Sequence, residues 1–431
     1  MTTSTAPTPI PQTADVLIVG GGPAGLAAAE AAARIGVKTV VLERQKEIGY
    51  PIHTSGGSWI ADMVALNIPP MLYHPIRKVT FLSPNKAVTF NYPVPLCCVI
   101  DVRGVYQHLA GRAVQAGAII RPASPVEGPI LDGTRVVGVR SKNASNEAEE
   151  WRAPVTLDCS GFSSTLATRV GLHGGYKRYG YGAEWDLYAP NYPDDELYLI
   201  MGSQVAPSGY AWAFPRGNGR VRLGVGVIRP DVDEDARAYL QSFTQRLPQL
   251  APVFAGASPL EYHTGLFPSE GVMAHFVSDG LMTAGDSASQ GSALVGEGIR
   301  FAIYAGQMAG TTAANAVKRG DTSTAVLSEF ERTWRVRFGR NLDISYLINK
   351  RIASYSDAKW DDSLELLERL TPAQAADALR GDFSLKLMMS IIRRNPSLLS
   401  KGTRAFVNTL TSQFGRKEPI TEAEVVNSVE S

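Results

Sequence analysis

Apolar residues near the N-terminus occur in short continuous runs. Residues 15–19 form such a run and end at Gly20, residues 23–35 are Ala-rich with helical spacing, and residues 38–42 are again β-branched. Continuous runs of this length are typical of parallel strands that are buried on both faces. The pattern therefore predicts a βαβ unit at the start of the chain.

Further along, the pattern changes to mostly β segments. Residues 176–230 are mostly of β type, rich in Tyr and Trp, with a strong turn at 216–219. Shorter β segments are predicted within 76–100 and at 118–121, 135–140, 151–158 and 281–284. Helical spacing predicts helices at 104–115, 233–249 and 299–316, and a mostly helical chain beyond about residue 323.

Strands and helices in this order predict an α/β fold, α+β overall. We expect a Rossmann-type dinucleotide-binding domain, an antiparallel β-sheet substrate domain inserted into it, and a C-terminal helical region. The predicted ranges are 14–75, 98–175 and 270–322 for the first domain, 76–97 and 176–269 for the second, and 323–431 for the helical region. Residues 1–13 are predicted to be a disordered tail.

Composition excludes several classes of function. The net charge of +1 gives no global field to recruit nucleic acid. The three cysteines are odd in number and lack metal-type spacing, which argues against a disulfide framework and a metal site and favours a reducing compartment. Because the chain has no apolar stretch of about 18 residues, no transmembrane helix is predicted. A cytoplasmic protein is expected, with at most peripheral contact at the inner face of a membrane.

A glycine-rich segment follows the first strand and opens the first helix. Gly20, Gly22 and Gly25 fit the G-x-G-x-x-G fingerprint, in which the first glycine permits a tight turn, the second lets a pyrophosphate approach and the third allows close packing. Glu43 follows about 20 residues later, where a carboxylate accepts hydrogen bonds from a ribose. That carboxylate would repel a 2′-phosphate, so the fingerprint predicts a dinucleotide other than NADP.

A second glycine-containing segment lies near residue 285. Gly285 and Asp286 end a short strand, and Gly298 and Ile299 begin a long helix. An aspartate there can hold the ribitol of a flavin, with the helix directed at the phosphates. The alternative is an ordinary helix cap by Asp286. Arg103 and the strand-end Asp158 are two other candidate cofactor contacts. The alternative for Arg103 is a solvated side chain at a capped helix start, and the alternative for Asp158 is a plain turn.

The segment 207–215 carries the most specific signal. Tyr210, Trp212 and Phe214 alternate along a predicted strand, between Pro207 and Pro215. Side chains at alternate positions of a strand share one face. The segment therefore predicts one aromatic face, which either lies in the core or contacts a large apolar ligand.

With these motifs the chain resembles the geranylgeranyl reductase family, which is related to para-hydroxybenzoate hydroxylase, over roughly residues 14–320. The segment 207–215 matches every fixed position of the family's PxxYxWxFP hallmark. The resemblance implies FAD, a tunnel for a polyprenyl chain walled by Tyr210 and Trp212, and substrate contacts at Pro207, Phe214 and Pro215. The implied cofactor residues are Gly20, Gly22, Gly25, Glu43, Arg44, Thr54, Ser55, Gly57, Arg103, Val126, Asp158, Gly285, Asp286, Gly298 and Ile299.

The resemblance also implies a reaction, the reduction of carbon–carbon double bonds in a geranylgeranyl chain of a lipid. Hydride would come from reduced flavin N5, with NAD(P)H or a ferredoxin as external reductant. Many archaeal relatives carry a cysteine where this chain has Thr54, so a thiol-dependent step there is not expected. The proton donor is open between Tyr210, an ordered water and His53, which is alternatively an ordinary loop histidine.

Two rival functions and one surface hypothesis remain. A flavin-dependent monooxygenase or halogenase of the same fold is the first rival; halogenases carry a WxWxIP element, from which Tyr210 and Phe214 depart. A non-catalytic prenyl-lipid-binding relative is the second. Residues 383–417 contain seven basic residues and no acidic one, which suggests contact with an anionic membrane, or else a helical cap with a solvated basic face.

Overall fold

The computed structural model describes residues 12–396 and 401–415. The strands are β1 Gln12–Thr13, β2 Val16–Val19, β3 Thr39–Leu42, β4 Gly57–Trp59, β5 Tyr73–Ile76, β6 Lys78–Leu82, β7 Ala87–Asn91, β8 Cys97–Ile100, β9 Ile119–Arg121, β10 Val126–Asp132, β11 Arg135–Lys142, β12 Ala148–Arg152, β13 Val155–Asp158, β14 Tyr179–Tyr188, β15 Glu196–Ile200, β16 Tyr210–Gly217, β17 Arg220–Arg229, β18 Ser258–Pro268, β19 Val277–Ser278 and β20 Leu281–Thr283.

The helices are α1 Pro23–Arg34, α2 Ile60–Ala65, α3 Val102–Gln115, α4 Ala236–Gln241, α5 Phe243–Arg246, α6 Ile299–Arg319, α7 Thr324–Trp334, α8 Arg340–Ile352, α9 Asp357–Glu368, α10 Pro372–Arg380, α11 Leu385–Arg394 and α12 Lys401–Ser412. Four predicted features are confirmed: the first βαβ unit, the long helix after residue 298, the β-rich middle and the helical C-terminal region.

A six-stranded sheet forms the first layer of the fold. Its order is β19-β20-β13-β2-β3-β9, and all neighbours are parallel except the edge pair β19 and β20. Helices α1, α3 and α6 bury apolar residues against one face. The small sheet β1-β12-β11-β10 covers the other face through Val136, Val139 and Trp151. The predicted Rossmann-type layer is therefore present.

A seven-stranded sheet forms the second unit, in the order β18-β14-β17-β16-β15-β6-β7. It is antiparallel except for the pair β15 and β6. One face packs apolar residues against α4 and α5, and the other meets α9 and α10 on one side. All seven strands lie within 76–97 and 176–269, the ranges predicted for the substrate domain. The division into domains stays a prediction.

The structure differs from the prediction in two places. Residues 233–249 are not one helix: α4 begins after Asp235, whose carboxylate accepts from the amide of Arg237, and α5 ends at Arg246. The two helices are separated at Ser242, which has φ −98° and ψ 10°. Pro248 explains why α5 ends at Arg246, because the residue before a proline avoids helical dihedrals, and Leu247 has φ −129° and ψ 68°. Gln12 and Thr13, predicted as tail, pair with Trp151 and Arg152 as a strand; the rest of that tail lies outside the described residues.

Candidate active site

A cavity of about 830 Å³ lies between the carboxyl edge of the six-stranded sheet and the seven-stranded sheet. Its wall includes most of the residues that the sequence singled out. These are Gly20, Gly22, Glu43, Arg44, His53, Thr54, Ser55, Gly57, Val126, Tyr210, Trp212, Phe214, Gly285, Asp286, Gly298 and Ile299. The glycine loop and the aromatic strand, which are nearly 200 residues apart in sequence, therefore line one space.

The glycine loop has the geometry that its fingerprint predicts. Gly20 has φ +106°, a region that favours glycine, and a Cβ there would meet the carbonyl oxygen of Cys159. A Cβ on Gly25 would meet the carbonyl oxygen of Gly20, whereas one on Gly22 would have no atom of the described residues within 4 Å. Gly25 thus packs beneath the loop and is not part of the cavity wall, while Gly22 leaves open space beside the start of α1.

Glu43 places a carboxylate next to this loop. It follows β3 directly, and its Oε2 accepts from the amide of Gly21 at 2.5 Å while its Oε1 accepts from the amide of Gln45 at 2.7 Å. The parallel pairing of β2 and β3 brings the two strand ends together. The wall here combines free space, backbone amides and one negative charge.

Helix α6 runs parallel to α1 in very close contact. Cβ atoms on Gly306 and Gly310 would meet the carbonyl oxygens of Ala24 and Ala28 respectively. Gly306 lies seven residues after the start of α6, whereas Ala24, which it contacts, lies one residue after the start of α1. At about 1.5 Å per residue, the N-terminus of α6 therefore extends about 8–10 Å beyond that of α1, toward the cavity. Neither helix has a side-chain cap at its N-terminus, so both leave amide donors for an anion.

Asp286 lies beside the start of α6. A Cβ on Gly298 would stand 3.1 Å from its Oδ1. Asp286 does not cap the turn Gly285–Ala288 that contains it, because the cap residue of that turn is Ala284. Burial raises the pKa of Asp286 to about 6. Two uncapped helix ends, an open glycine loop and this carboxylate form a set of donors and acceptors that fits the phosphates and ribitol hydroxyls of FAD.

Two predicted cofactor residues lie elsewhere. Arg103 is exposed and pairs with Glu47, after a helix start that Asp101 caps by accepting from the amide of Gly104. The carboxylate of Asp158 is fully buried and saturated by four hydrogen bonds, two from Ser160 at 3.1 and 2.6 Å and one each from the amides of Leu166 and Ala167 at 2.7 and 2.9 Å. Asp158 therefore stabilises the turn that follows β13.

The loop 53–57 is fixed to the seven-stranded sheet. Arg222, buried on β17, donates from Nη1 to the carbonyl of Ser55 at 2.7 Å. The Phe214 ring packs against Gly57, where a Cβ would stand 3.1 Å from it. His53 is exposed, with Nδ1 3.0 Å from the carbonyl of Thr264, an arrangement that requires the N–H tautomer at Nδ1.

The aromatic strand presents its rings to the cavity. Ring centroids of Tyr210 and Trp212 are 5.6 Å apart, and those of Trp212 and Phe214 are 6.2 Å apart. The Tyr210 hydroxyl donates to the carbonyl of Val295 at 2.6 Å. Burial and the Glu297 carboxylate raise the pKa of Tyr210 well above its ordinary range. The phenol is therefore neutral and its proton is engaged.

The two prolines of the hallmark do not line the cavity. Pro215 stands in β16 beyond Ala213, the last residue of that strand to pair with β15, and is the neighbour of Val221 on β17. Pro207 precedes the strand, next to Ser208, which has φ 61°. Both prolines shape the ends of the strand that carries the rings.

Glycines on neighbouring strands leave room for the Trp212 ring. Gly224 is the cross-strand neighbour of Trp212, and a Cβ there would collide with the indole. Cβ atoms on Gly226 and Gly182 would stand 3.3 and 3.6 Å from the six-membered ring. The indole therefore lies flat across β17 toward β14, where its Nε1 donates to Glu184 Oε2 at 2.7 Å.

Sequence reasoning missed this part of the site. Glu184 and His263 also line the cavity, and Asn349 and Leu379 extend the wall from α8 and α10. A signal was present: glycines at alternate positions inside a strand, as at 180 and 182 or 224 and 226, mark close approach of another group.

One cysteine also lines the cavity. Burial raises the pKa of the Cys97 thiol to about 12, so this cavity-lining cysteine stays protonated.

Two protein families match parts of the chain that line the cavity. Residues 15–173 match the FAD-dependent oxidoreductase family, and residues 183–265 match the geranylgeranyl reductase catalytic domain. Digeranylgeranylglycerophospholipid reductase of Methanocaldococcus jannaschii is 30% identical over 395 residues, which cover 89% of this chain and 96% of that protein. The chain belongs to the geranylgeranyl reductase family. A second relative, digeranylgeranylglycerophospholipid reductase 2 of Methanopyrus kandleri, is 28% identical over 89% of this chain and 97% of its own.

Solved structures agree on the fold of this geranylgeranyl reductase family member. A geranylgeranyl bacteriochlorophyll reductase-like protein of Thermoplasma acidophilum superposes with a TM-score of 0.82 at 23% identity, over 93% of this chain and 99% of that one. A flavin-dependent brominase superposes with a TM-score of 0.69 at 17% identity, over 94% and 100%. The predicted fold class and the prediction of an FAD-dependent oxidoreductase are confirmed.

Proposed function

We propose that this FAD-dependent oxidoreductase reduces carbon–carbon double bonds in the geranylgeranyl chains of a prenylated glycerophospholipid. The relatives from M. jannaschii and M. kandleri are named for such a lipid. The proposed substrate class follows from the family and from the apolar, aromatic wall of the cavity.

The observation that carries the proposal is the shared cavity. Tyr210 and Trp212 line the same space as the glycine loop and Asp286. An extended apolar chain on the indole would lie in the cavity that also holds the cofactor. Hydride transfer requires contact between the reacting atoms, and a shared cavity is the arrangement that permits it.

Each half of the cavity has a proposed task. The loop at Gly20 and Gly22, with Glu43, would hold the adenosine diphosphate part of FAD, and Asp286 and the α6 N-terminus would hold the ribitol and phosphates. When bound and reduced, FAD supplies a hydride from its N5 atom. Tyr210 and Trp212 would align the prenyl chain and exclude water. NAD(P)H or a ferredoxin is the external reductant that we propose.

A monooxygenase or halogenase is the second candidate, because the brominase shares the fold. The two functions differ in their need for oxygen. Protein reduced anaerobically with dithionite is mixed with a phospholipid that carries two geranylgeranyl chains, and the lipid is analysed by mass spectrometry. A reductase yields products heavier by pairs of hydrogens and reoxidises its flavin without oxygen; a flavin that stays reduced until oxygen enters would contradict the proposal.

A matched pair of variants tests the aromatic wall. Trp212→Leu removes the ring that lines the cavity, while Trp185→Leu removes a ring that packs on the opposite face of the same sheet against Tyr262. Misplacement of a substrate by about 1 Å costs on the order of 100-fold in rate. We expect W212L to slow prenyl reduction by about 10- to 100-fold and W185L to leave it within about twofold.

We also propose peripheral contact with anionic lipid through α11. Its Leu387, Met388 and Ile392 pack inward, whereas Leu385 and Met389 are 51% and 55% exposed. Lys386, Arg393 and Arg394 are exposed beside them. The remaining basic residues of the predicted segment lie at 401, 404, 416 and 417, of whose side chains the structure describes nothing.

Within the described residues no helix is both long and apolar enough to cross a bilayer. Sedimentation with phosphatidylglycerol vesicles but not with phosphatidylcholine vesicles would support this contact, and equal sedimentation would count against it.

A further inference from the structure

A row of polar side chains crosses the cavity face of the seven-stranded sheet. His263 on β18 is the cross-strand neighbour of Glu184 on β14, Glu184 is the neighbour of Gly224, and Gly224 is the neighbour of Trp212. Cross-strand neighbours point to the same face of a sheet. Because Gly224 has no side chain, the Trp212 indole bridges the gap to Glu184.

Three of the four positions in the next row of the same face are glycines. Tyr210, Gly226, Gly182 and Gly265 are successive neighbours across β16, β17, β14 and β18. Three steps between strands span about 14 Å, a distance comparable with several isoprene units. The Trp212 ring covers Gly226 and Gly182, and the backbone of His53 covers Gly265. A prenyl chain on this face would therefore lie on the outer side of the indole, in the cavity that Glu184 and His263 also line.

His263 is buried and lacks hydrogen bonds. Its side chain is 5% exposed, and neither ring nitrogen has a hydrogen-bond partner within the part of the chain that the structure describes. The nearest acceptors are Glu184 Oε1, 3.4 Å from Nε2, and Glu261 Oε1, 3.7 Å from Nδ1. A buried polar group without a partner costs about 1–3 kcal/mol, so its presence in a cavity wall calls for an explanation.

We propose that His263 is the acid that gives the alkene its proton, with Glu184 as the residue that positions it. This inference rests on the proposed function and concerns a residue that neither the fingerprint nor the aromatic hallmark includes. His263 lines the same cavity as Tyr210 and Trp212. Tyr210 is less suited, because its hydroxyl proton already bonds to the Val295 carbonyl.

The step balances as follows. The π bond of the alkene breaks; one carbon receives the hydride that reduced FAD supplies and the other receives a proton from the His263 imidazolium. Two C–H bonds form, the lipid gains two electrons that the cofactor loses, and His263 is left neutral. Glu261, whose side chain is 35% exposed, faces Nδ1 and connects the imidazole to solvent for reprotonation.

Charges on three strands act on this imidazole. Glu184 and Asp186 on β14 and Glu261 on β18 favour the charged form, whereas Arg222 on β17 opposes it. Burial is the largest influence, and the pKa of His263 lies below its ordinary value. Since the protonated form is the donor, the rate should rise as pH falls toward that lowered pKa.

The first test measures the imidazole itself. The six histidines of the full-length protein carrying oxidised FAD are labelled with 13C at Cε1, and His263 is assigned by the signal lost in His263→Gln. We expect His263 to titrate below the ordinary range of histidine, and Glu184→Gln to lower the pKa of His263 further because a favourable charge is removed. A His263 titration that E184Q leaves unchanged would overturn the pairing.

The second test measures single turnovers of dithionite-reduced protein with the prenyl phospholipid. General acids typically contribute about 100- to 10,000-fold, so H263Q should slow reoxidation by the lipid at least about 100-fold and lose the acidic rise in rate. Reoxidation by ferricenium, which needs no proton from the protein, should be unchanged. His275→Gln, on an exposed residue outside the cavity, is the control.

The outcomes separate the two proposals. Wild-type protein that never passes hydrogen to the lipid contradicts the proposed function. A working wild type whose rate is flat between about pH 5 and 8, a range that spans histidine titration, contradicts the role of His263 alone. This wild-type profile keeps the proposal falsifiable if H263Q fails to fold. An H263Q variant that matches wild type in rate and pH profile contradicts it as well.

Discussion

The Trp212 ring lies over three glycines, so replacing each of them by alanine should change the stability of the protein to a different degree. Added Cβ atoms would collide with the indole at Gly224, approach it to 3.3 Å at Gly226 and touch it at 3.6 Å at Gly182. The three glycines lie outside the positive-φ region, so alanine suits each backbone. The order of damage should therefore be G224A, then G226A, then G182A.

The magnitudes follow from two opposing effects. Replacing glycine by alanine at a compatible position stabilises a protein by about 0.4–1 kcal/mol through the unfolded chain. Overpacking in a filled site costs about 1–3 kcal/mol. We expect G224A to lose about 1–2 kcal/mol net, G226A to change little and G182A to gain up to about 1 kcal/mol.

The assay is thermal unfolding of the three variants with FAD bound, together with prenyl reduction. A double-mutant cycle with Trp212→Ala identifies the cause, because removing the indole should abolish most of the cost of G224A. If G224A is as stable and as active as G182A, the indole does not lie where the structure places it. A cost of G224A that persists in W212A would assign it to another contact.

Three further predictions concern the cofactor half and the support of the sheet. Asp286→Asn should weaken FAD binding by about 10-fold at pH 7.5. Because burial raises the pKa of Asp286 to about 6, ionisation of the wild-type carboxylate lowers the stability of the cofactor-free protein as pH rises through 4–6. Cofactor-free D286N should therefore be more stable than wild type at pH 7.5, by on the order of 1–3 kcal/mol, and equally stable near pH 4. Glu43→Ala leaves the amides of Gly21 and Gln45 without their acceptor and should weaken FAD binding about 10- to 100-fold in apoprotein titrations; unchanged affinity would refute its role. Arg178→Met breaks a buried ion pair with Asp231 and the bonds to Ser269 and Asn349, and should cost about 3–5 kcal/mol of unfolding free energy, against at most about 1 kcal/mol for the more exposed Arg229→Met.

Local patterns predicted the parts of the fold that local physics decides. The apolar run before Gly20 and the Ala-rich helix after it are specified by their own residues. The fingerprint likewise predicted the distinct tasks of Gly20 and Gly25, since each is a backbone requirement. The single helix predicted at 233–249 was wrong. Its predicted end ran past Arg246 because the effect of Pro248 on Leu247 was overlooked, although the sequence contains Pro248; the break at Ser242 has no comparable signal in the sequence.

Long-range contacts could not be predicted in the same way. Glu184 and His263 become neighbours only through the register of β14 with β18, which includes a shift between Asp186 and Leu187. Each residue alone is an unremarkable polar position in a strand. Asp158 shows the reverse case: its place at a strand end suggested a ligand, but the chain that folds back over it supplies all its hydrogen-bond donors.

The most direct test of the central claim is an experimental structure of the protein with FAD and an unreactive, saturated analogue of the prenyl phospholipid. The account predicts that the lipid chain contacts the rings of Tyr210 and Trp212, in the cavity that also holds the flavin. A lipid chain bound at another surface, with protein side chains filling the space between the indole and the flavin, would contradict it.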